Sequence, residues 1–157
     1  MNIYKNFIKK EYSNKINEEL LKPYFPWYYN KNQNNKDTSY MFHLFFNGTN
    51  VNSDYFYLVE PILKKLKIKN LLNVRANLSL KRPSKCDWHV DKLTENLNHK
   101  TAIYYVNTNN GFTVFKNKKV KCEKSKIVIF DANQKHKAKI QTNTDARMVI
   151  NINYEFI

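Results

Sequence analysis

The sequence predicts one mainly β domain with N-terminal helices, a sandwich or barrel buttressed by helical segments. Three observations point there. From Leu71 onward, short apolar runs follow one another at regular spacing, each bounded by turn residues. Aromatic residues are abundant (11 Tyr, 10 Phe and 2 Trp), and with the Ile and Val of the second half they suit a pleated, half-buried surface. The chain's 157 residues suffice for one hydrophobic core but not for two of ordinary size, and no linker divides them. The expected organisation is a single domain over 1–157, with 1–70 as a helical and extended support region and 71–157 as the β core.

In chain order, residues 1–22 are polar with helical character around 14–21. Pro23 and Pro26 then enforce an extended path through 24–29, because the residue before a proline avoids the helical region. Residues 30–39 are Asn/Lys-rich and nearly free of large apolar side chains, so they read as a loop and as the best candidate for a lid. The run 40–46 has strand character. Ser53 is a plausible N-cap with Asp54 in the first turn, where a helix favours negative charge. Phe56, Val59, Leu63 and Leu66 follow at helical spacing, and Pro61 interrupts them, predicting a kink or two short helices. Extended segments are expected at 71–80, 88–91, 100–107, 112–115, 126–130 and 147–156. Turn signals separate them at 82–84, 109–111, 116–119, 131–134 and 141–145.

No apolar stretch reaches the roughly 18 residues a membrane span requires. The N-terminus has neither an apolar core nor a small-residue cleavage site, so a cytoplasmic protein with free thiols at Cys86 and Cys122 is expected. The formal net charge of +14 invites nucleic acid as a partner. Against that, Arg75, Arg82 and Arg147 are the only arginines, whereas nucleic-acid recognition draws on the guanidinium fork. The lysines are scattered among many asparagines, the pattern that a low-GC coding bias produces without selection for any partner.

Chemistry concentrates at His89-Val90-Asp91. In a strand, positions 89 and 91 point the same way, and Val90 is expected to pack on the other side. An imidazole and a carboxylate side by side can take adjacent positions on an octahedral ion. A third ligand from a distant strand completes a two-His-one-carboxylate triad, leaving three positions open, as in non-haem iron(II) oxygenases. His136, after the apolar run 127–130 and a turn, is the candidate third ligand. Alone, an HxD triplet is more often a satisfied surface or core histidine. Arg147 opens an apolar strand, a poor place for a charge unless it holds an anion. The ordinary alternative is a salt bridge to Asp145, Glu123 or another local acid. Cys86 lacks a matching Cys/His pair and reads as a free thiol rather than a zinc ligand. His43 reads as a packed or substrate-side histidine, and His99, in the polar segment 92–100, as a solvated one.

With HVD at 89–91, TAIYYVN at 101–107, NGFTVF at 110–115, KIVIFDA at 126–132, then His136 and Arg147, the chain resembles the 2-oxoglutarate/Fe(II)-dependent oxygenases. The likeness is to their prolyl-hydroxylase-like branch, including compact bacterial and viral versions, over residues 71–157. It implies a double-stranded β-helix (jelly-roll, cupin-like) barrel with His89, Asp91 and His136 as iron ligands. Arg147 would bind the distal carboxylate of 2-oxoglutarate, and Tyr105 matches a position whose phenol hydrogen-bonds that carboxylate; an ordinary core aromatic is the alternative there. Thr101 shares the face of Tyr105, and Asn151 that of Arg147, so both are candidates for the same pocket beside ordinary structural roles. The branch also has a cosubstrate-binding tyrosine about ten residues before the first histidine. Ser79 falls there and is too short, leaving Asn77 as the polar substitute.

The implied reaction uses Fe(II) and O₂ to hydroxylate a C–H bond, coupled to oxidative decarboxylation of 2-oxoglutarate to succinate and CO₂. By resemblance the substrate is a protein or peptide side chain, prolyl foremost. An oxygenase acting on nucleic acid or nucleotides, and a non-catalytic β-helix binding domain, are the alternatives.

Overall fold

The computed structural model describes residues 1–30, 39–81, 86–91 and 98–157. All of the proposed lid at 30–39 except its two end residues, the turn at 82–84 and most of the polar segment 92–100 lie outside the described residues. Element order is β1 (Asn2–Tyr4), α1 (Lys10–Leu20), β2 (Tyr28–Asn30), β3 (Tyr40–Phe46), a 3₁₀ helix (Asp54–Leu58) and α2 (Glu60–Leu63). Then come β4 (Ile68–Leu80), β5 (His99–Tyr105), β6 (Phe112–Phe115), β7 (Lys118–Lys121), β8 (Lys126–Asp131), β9 (His136–Lys139) and β10 (Ala146–Phe156).

In α1, Ser13, Ile16 and Leu20 are buried on one stripe, and the helix begins four residues before the expected start. Pro61 resolves as two short helices. It sits in the first turn of α2, where its missing N–H satisfies no intrahelical carbonyl in any case. Ser53 caps the preceding 3₁₀ helix by accepting from the Tyr55 N–H at 3.0 Å.

Two antiparallel sheets form, a seven-stranded one in the order β1-β8-β5-β10-β4-β3-β2 and a three-stranded one in the order β7-β6-β9. This is the jelly-roll arrangement that the sequence led us to expect. Strand alternation divides the large sheet into two faces. Val74, Ala76 and Leu78 of β4, Ala102 and Tyr104 of β5, and Met148, Ile150, Ile152 and Tyr154 of β10 pack with Ile16, Leu20, Val59 and Ile62 of the helical layer. The opposite face carries Ile103, Tyr105, Val128, Phe130 and Val149, which pack with Phe115, Val120 and Cys122 of the small-sheet region. The N-terminal third therefore plugs one face of the large sheet and leaves the other free to enclose a cavity. Both cysteines are free thiols. Among the described residues no helix is long and apolar enough to cross a membrane.

Several expectations are corrected. The segment 88–91 forms no ladder, only an isolated bridge between His89 and His136. Val90 is consequently not packed inward but 43% exposed, since no strand pairs on the outer side of this segment among the described residues. His99 is not solvated: it opens β5 and is buried. β4 starts at Ile68 instead of 71, and β5 spans His99–Tyr105 instead of 100–107. β7 was read partly as turn, because its KKVK sequence turns three lysines outward and only Val120 inward. β1, β2 and β9 are three or four residues long, too short to show a period.

His43 carries a stability prediction. Its Nδ1 lies 2.8 Å from the Pro26 carbonyl oxygen and its Nε2 2.7 Å from Ser53 Oγ, within a cluster of Phe25, Phe45 and Tyr55. Burial lowers its pKa below the usual 6.5, although the Pro26 contact works the other way. His99 is lowered too, again by burial first. The unfolded chain therefore binds more protons in the window below about pH 6.5, so stability is complete above it and falls as the pH drops through it. Urea midpoints should decline from pH 7.5 to 5.5, and His43→Gln should remove part of that slope.

Candidate metal centre

His89 and His136 face each other as an antiparallel pair. The His89 N–H donates to the His136 carbonyl at 3.0 Å and the His136 N–H returns the bond at 2.9 Å, which sets both side chains on one face. Two residues on, the Asp91 N–H donates to the Ala132 carbonyl at 3.0 Å, so Asp91 points the same way as His89. The ring centroids of the histidines are 4.4 Å apart. Asp91 Oδ1 lies 3.7 Å from His89 Nε2, and its Oδ2 lies 3.4 Å from His136 Nε2. All three potential ligand atoms fall within 4.8 Å of one another.

Four details fit a metal. Each Nδ1 is engaged by a backbone carbonyl, His89 with Asp87 and His136 with Gln134, both at 3.1 Å. Such contacts put the proton on Nδ1 and leave Nε2 as the lone-pair donor. Asp91 Oδ2 is buried without a hydrogen bond, a costly position for a carboxylate oxygen that a cation would relieve. Burial would raise the Asp91 pKa, but His136, His89 and then Arg75 outweigh it, so the group sits below the usual carboxylate range and is ionised. The three donors also come from one side. His136 is buried against Phe130 and Phe115, whereas the His89 side chain is 51% exposed. The opposite side of a bound ion would remain open to ligands.

That open side gives onto a cavity of about 310 Å³ between the two sheets. Arg147, Asn151 and Asn77 line it, as do His89 and His136. Arg147 is buried, and its contacts are neutral: Nε donates to Cys122 Sγ at 3.2 Å and Nη2 to Thr113 Oγ1 at 3.5 Å. Among the described residues no acid forms an ion pair with it. Glu123, one of the partners considered above, is occupied by Lys126 at 2.7 Å and Lys5 at 3.5 Å. Tyr105 and Thr101 are not among the lining residues. Tyr105 is fully buried behind the wall, donating to Thr113 Oγ1 at 2.7 Å, so it reaches Arg147 only through a shared threonine. Burial raises its pKa and keeps the phenol neutral. Thr101 donates to Asn153 Oδ1 at 2.9 Å.

Arg75 and Thr113 also line the cavity, and neither stood out in the sequence. A signal for Arg75 was present, since Arg75, Asn77 and Ser79 alternate with Val74, Ala76 and Leu78. Gly111 supports the wall. A Cβ there would lie 2.8 Å from Asn109 Oδ1, 2.9 Å from the Lys139 carbonyl oxygen and 3.2 Å from Arg147 Cδ. The carbonyl cannot move without disturbing the β6–β9 pairing. Gly111→Ala should therefore cost about 1–3 kcal/mol of stability in urea unfolding.

No family model matches the chain, and no curated protein matches it. Solved structures do. A prolyl hydroxylase from Trichoplax adhaerens, in complex with a hypoxia inducible factor peptide fragment, superposes with a TM-score of 0.68 at 12% identity, over 99% of this chain and 83% of that one. A viral collagen prolyl hydroxylase from Paramecium Bursaria Chlorella virus-1 gives 0.64 at 14% identity, covering 99% and 89% of the two chains. A non-heme alpha ketoglutarate dependent epimerase from nogalamycin biosynthesis gives 0.69 at 11% identity, covering 98% and 77%. With two antiparallel sheets, a helical layer on the larger and a His-Asp-His cluster at the mouth of the space between them, the chain has the fold of the prolyl hydroxylases and 2OG-Fe(II) oxygenases.

Proposed function

We propose that the protein is an Fe(II)- and 2-oxoglutarate-dependent dioxygenase that hydroxylates a C–H bond. One observation carries this reading. The two histidines of a two-His-one-carboxylate group with an open side line the same cavity as Arg147, a buried arginine that has no acidic partner among the described residues. A metal site alone fits many proteins. An added guanidinium inside the cavity suits a ligand that chelates a metal at one end and carries a carboxylate at the other, as 2-oxoglutarate does.

In this reading His89, Asp91 and His136 hold the iron, which when bound supplies O₂ activation coupled to conversion of 2-oxoglutarate into succinate and CO₂. The chain's own residues bind, orient and exclude water. Arg147 holds the distal carboxylate, and Thr113 braces the guanidinium while Tyr105 fixes the threonine from behind. The carbonyls of Asp87 and Gln134 keep both imidazoles in the metal-binding tautomer. Ile103, Ile140 and Val149 supply apolar wall around the reacting end.

A protein or peptide side chain is the substrate class favoured by the likeness to structures that include a peptide-bound prolyl hydroxylase. The half-exposed Trp88 and Val90 beside His89 offer an apolar rim on which a peptide could lie. The fold does not dictate the outcome of the reaction, since an epimerase shares it. We place the protein in the cytoplasm. The test is anaerobic reconstitution with Fe(II), then admission of O₂ and measurement of succinate formed from 2-oxoglutarate. A protein that bound neither Fe(II) nor 2-oxoglutarate would refute the assignment. Binding of RNA or DNA that weakens steeply with salt would shift the substrate to nucleic acid.

A further inference from the structure

Arg75, Asn77 and Ser79 project from β4 into the cavity, and Asn151 from β10. Arg75 is the cross-strand partner of Asn151, and Asn77 that of Val149, so Arg75, Asn77 and Asn151 form one contiguous patch. None of the three side chains makes a hydrogen bond among the described residues, and Arg75 Nε, Asn77 Oδ1 and Asn151 Oδ1 are all buried without a partner. Three such groups in one patch would be costly as mere architecture, because buried polar atoms are almost always satisfied. Arg75 is also not in ion-pair contact with Asp91, although its charge is felt there.

The patch runs away from the Arg147 subsite: Asn77, opposite Val149, lies two residues along from Arg147, and Arg75 and Asn151 lie four residues along, about 13 Å at roughly 3.3 Å per residue. A cosubstrate with one end on the metal and its far carboxylate on Arg147 leaves Arg75 without an anion. Asp91 and the metal-end carboxylate of 2-oxoglutarate offset the two positive charges of the ferrous ion, and the distal carboxylate offsets Arg147, so Arg75 stays uncompensated in the loaded site. A neutral group such as a prolyl ring would not change that.

We propose that Arg75, Asn77 and Asn151 form a second oxyanion site, which seats an acidic group carried by the substrate, a carboxylate or a phosphate. The proposal rests on the assignment of Arg147 and the triad to cosubstrate and metal, and it narrows the substrate class to acid-bearing molecules. The acid could belong to a peptide side chain or to a free small molecule; the chemistry seen by Arg75 is shared.

The test titrates inorganic phosphate into the ¹⁵N-labelled protein, loaded with diamagnetic Zn(II) in place of Fe(II) and saturated with 2-oxoglutarate, and follows the backbone amides of Arg75, Asn77 and Asn151. These amides should shift without release of 2-oxoglutarate. Arg75→Gln should weaken phosphate about ten-fold or more, as expected for a lost charged hydrogen bond, and leave 2-oxoglutarate affinity within about two-fold. Arg75→Lys, which keeps the charge but loses the fork, should fall between and guards against a folding artefact. Malate against the capped tripeptide Ac-Ala-Asp-Ala-NH₂ then separates a free acid from an acidic side chain. The proposal is overturned if 2-oxoglutarate displaces phosphate, if Arg75→Gln leaves phosphate binding unchanged, or if that variant weakens both ligands alike. Failure of the cosubstrate reading shows differently, as indifference of 2-oxoglutarate binding to Arg147→Gln.

Discussion

His136→Ala should weaken Fe(II) binding by more than about 100-fold, the upper end of what loss of an outer-shell partner costs a metal site. His136 is the ligand with the least freedom. Its side chain is 3% exposed, its ring packs on Phe130 and Phe115, and its backbone is paired with His89 in both directions. Removing the imidazole leaves His89 and Asp91, a pair contributed by one short extended segment, which cannot enclose an ion. The substitution also vacates a buried volume, so some stability will be lost, about 0.5–3 kcal/mol. His136→Gln retains most of the volume and separates the two effects. It should be nearly as stable as the parent and nearly as defective in metal binding. Calorimetric titration with Fe(II) under anaerobic conditions checks this, and unchanged affinity in both variants would remove the triad from consideration.

Arg147→Gln should act on the other ligand. Truncating one partner of a buried, hydrogen-bonded charge pair costs about 2–5 kcal/mol, so 2-oxoglutarate affinity should fall by about 30-fold or more while Fe(II) affinity holds. The free protein should not suffer in the same measure. Among the described residues Arg147 hydrogen-bonds to a thiol and a threonine hydroxyl and has no acid beside it, so the substitution removes a buried guanidinium that lacks an ion-pair partner there. A variant as stable as the parent but blind to 2-oxoglutarate is the expected combination, read by thermal unfolding and by titration. Parallel losses of stability and of Fe(II) affinity would instead mark Arg147 as a structural residue.

Much of the β architecture was legible because strand alternation leaves a period of two that survives without homologues. Residues 112–115 and most of β4, β8 and β10 fall where the apolar runs put them. What escaped was too short or too polar for a period to show, as in KKVK at β7 and HKAK at β9. His99 was misjudged because a polar neighbourhood in sequence says nothing of the strand that covers it in space. The three residues of the His-Asp-His cluster were visible as types and spacing, and Arg147 as a charge in apolar company. Arg75 was passed over, because an arginine within an alternating strand resembles a solvent-facing one until both sheets are present. Its outward-looking face turns out to be the inside of a cavity.

The chain's local pattern alone determined that strands would follow helices, that His89 and Asp91 would share a face, and that Arg147 would be a charge in apolar company. These follow from side-chain direction and the cost of burying charge, properties of a few consecutive residues. Tertiary structure alone decided that His136 would sit opposite His89, that Tyr105 would stand behind Thr113 instead of in the cavity, and that Arg75 would join Asn77 and Asn151. Those juxtapositions link residues tens of positions apart, and only strand pairing between β4, β10 and the small sheet brings them within reach.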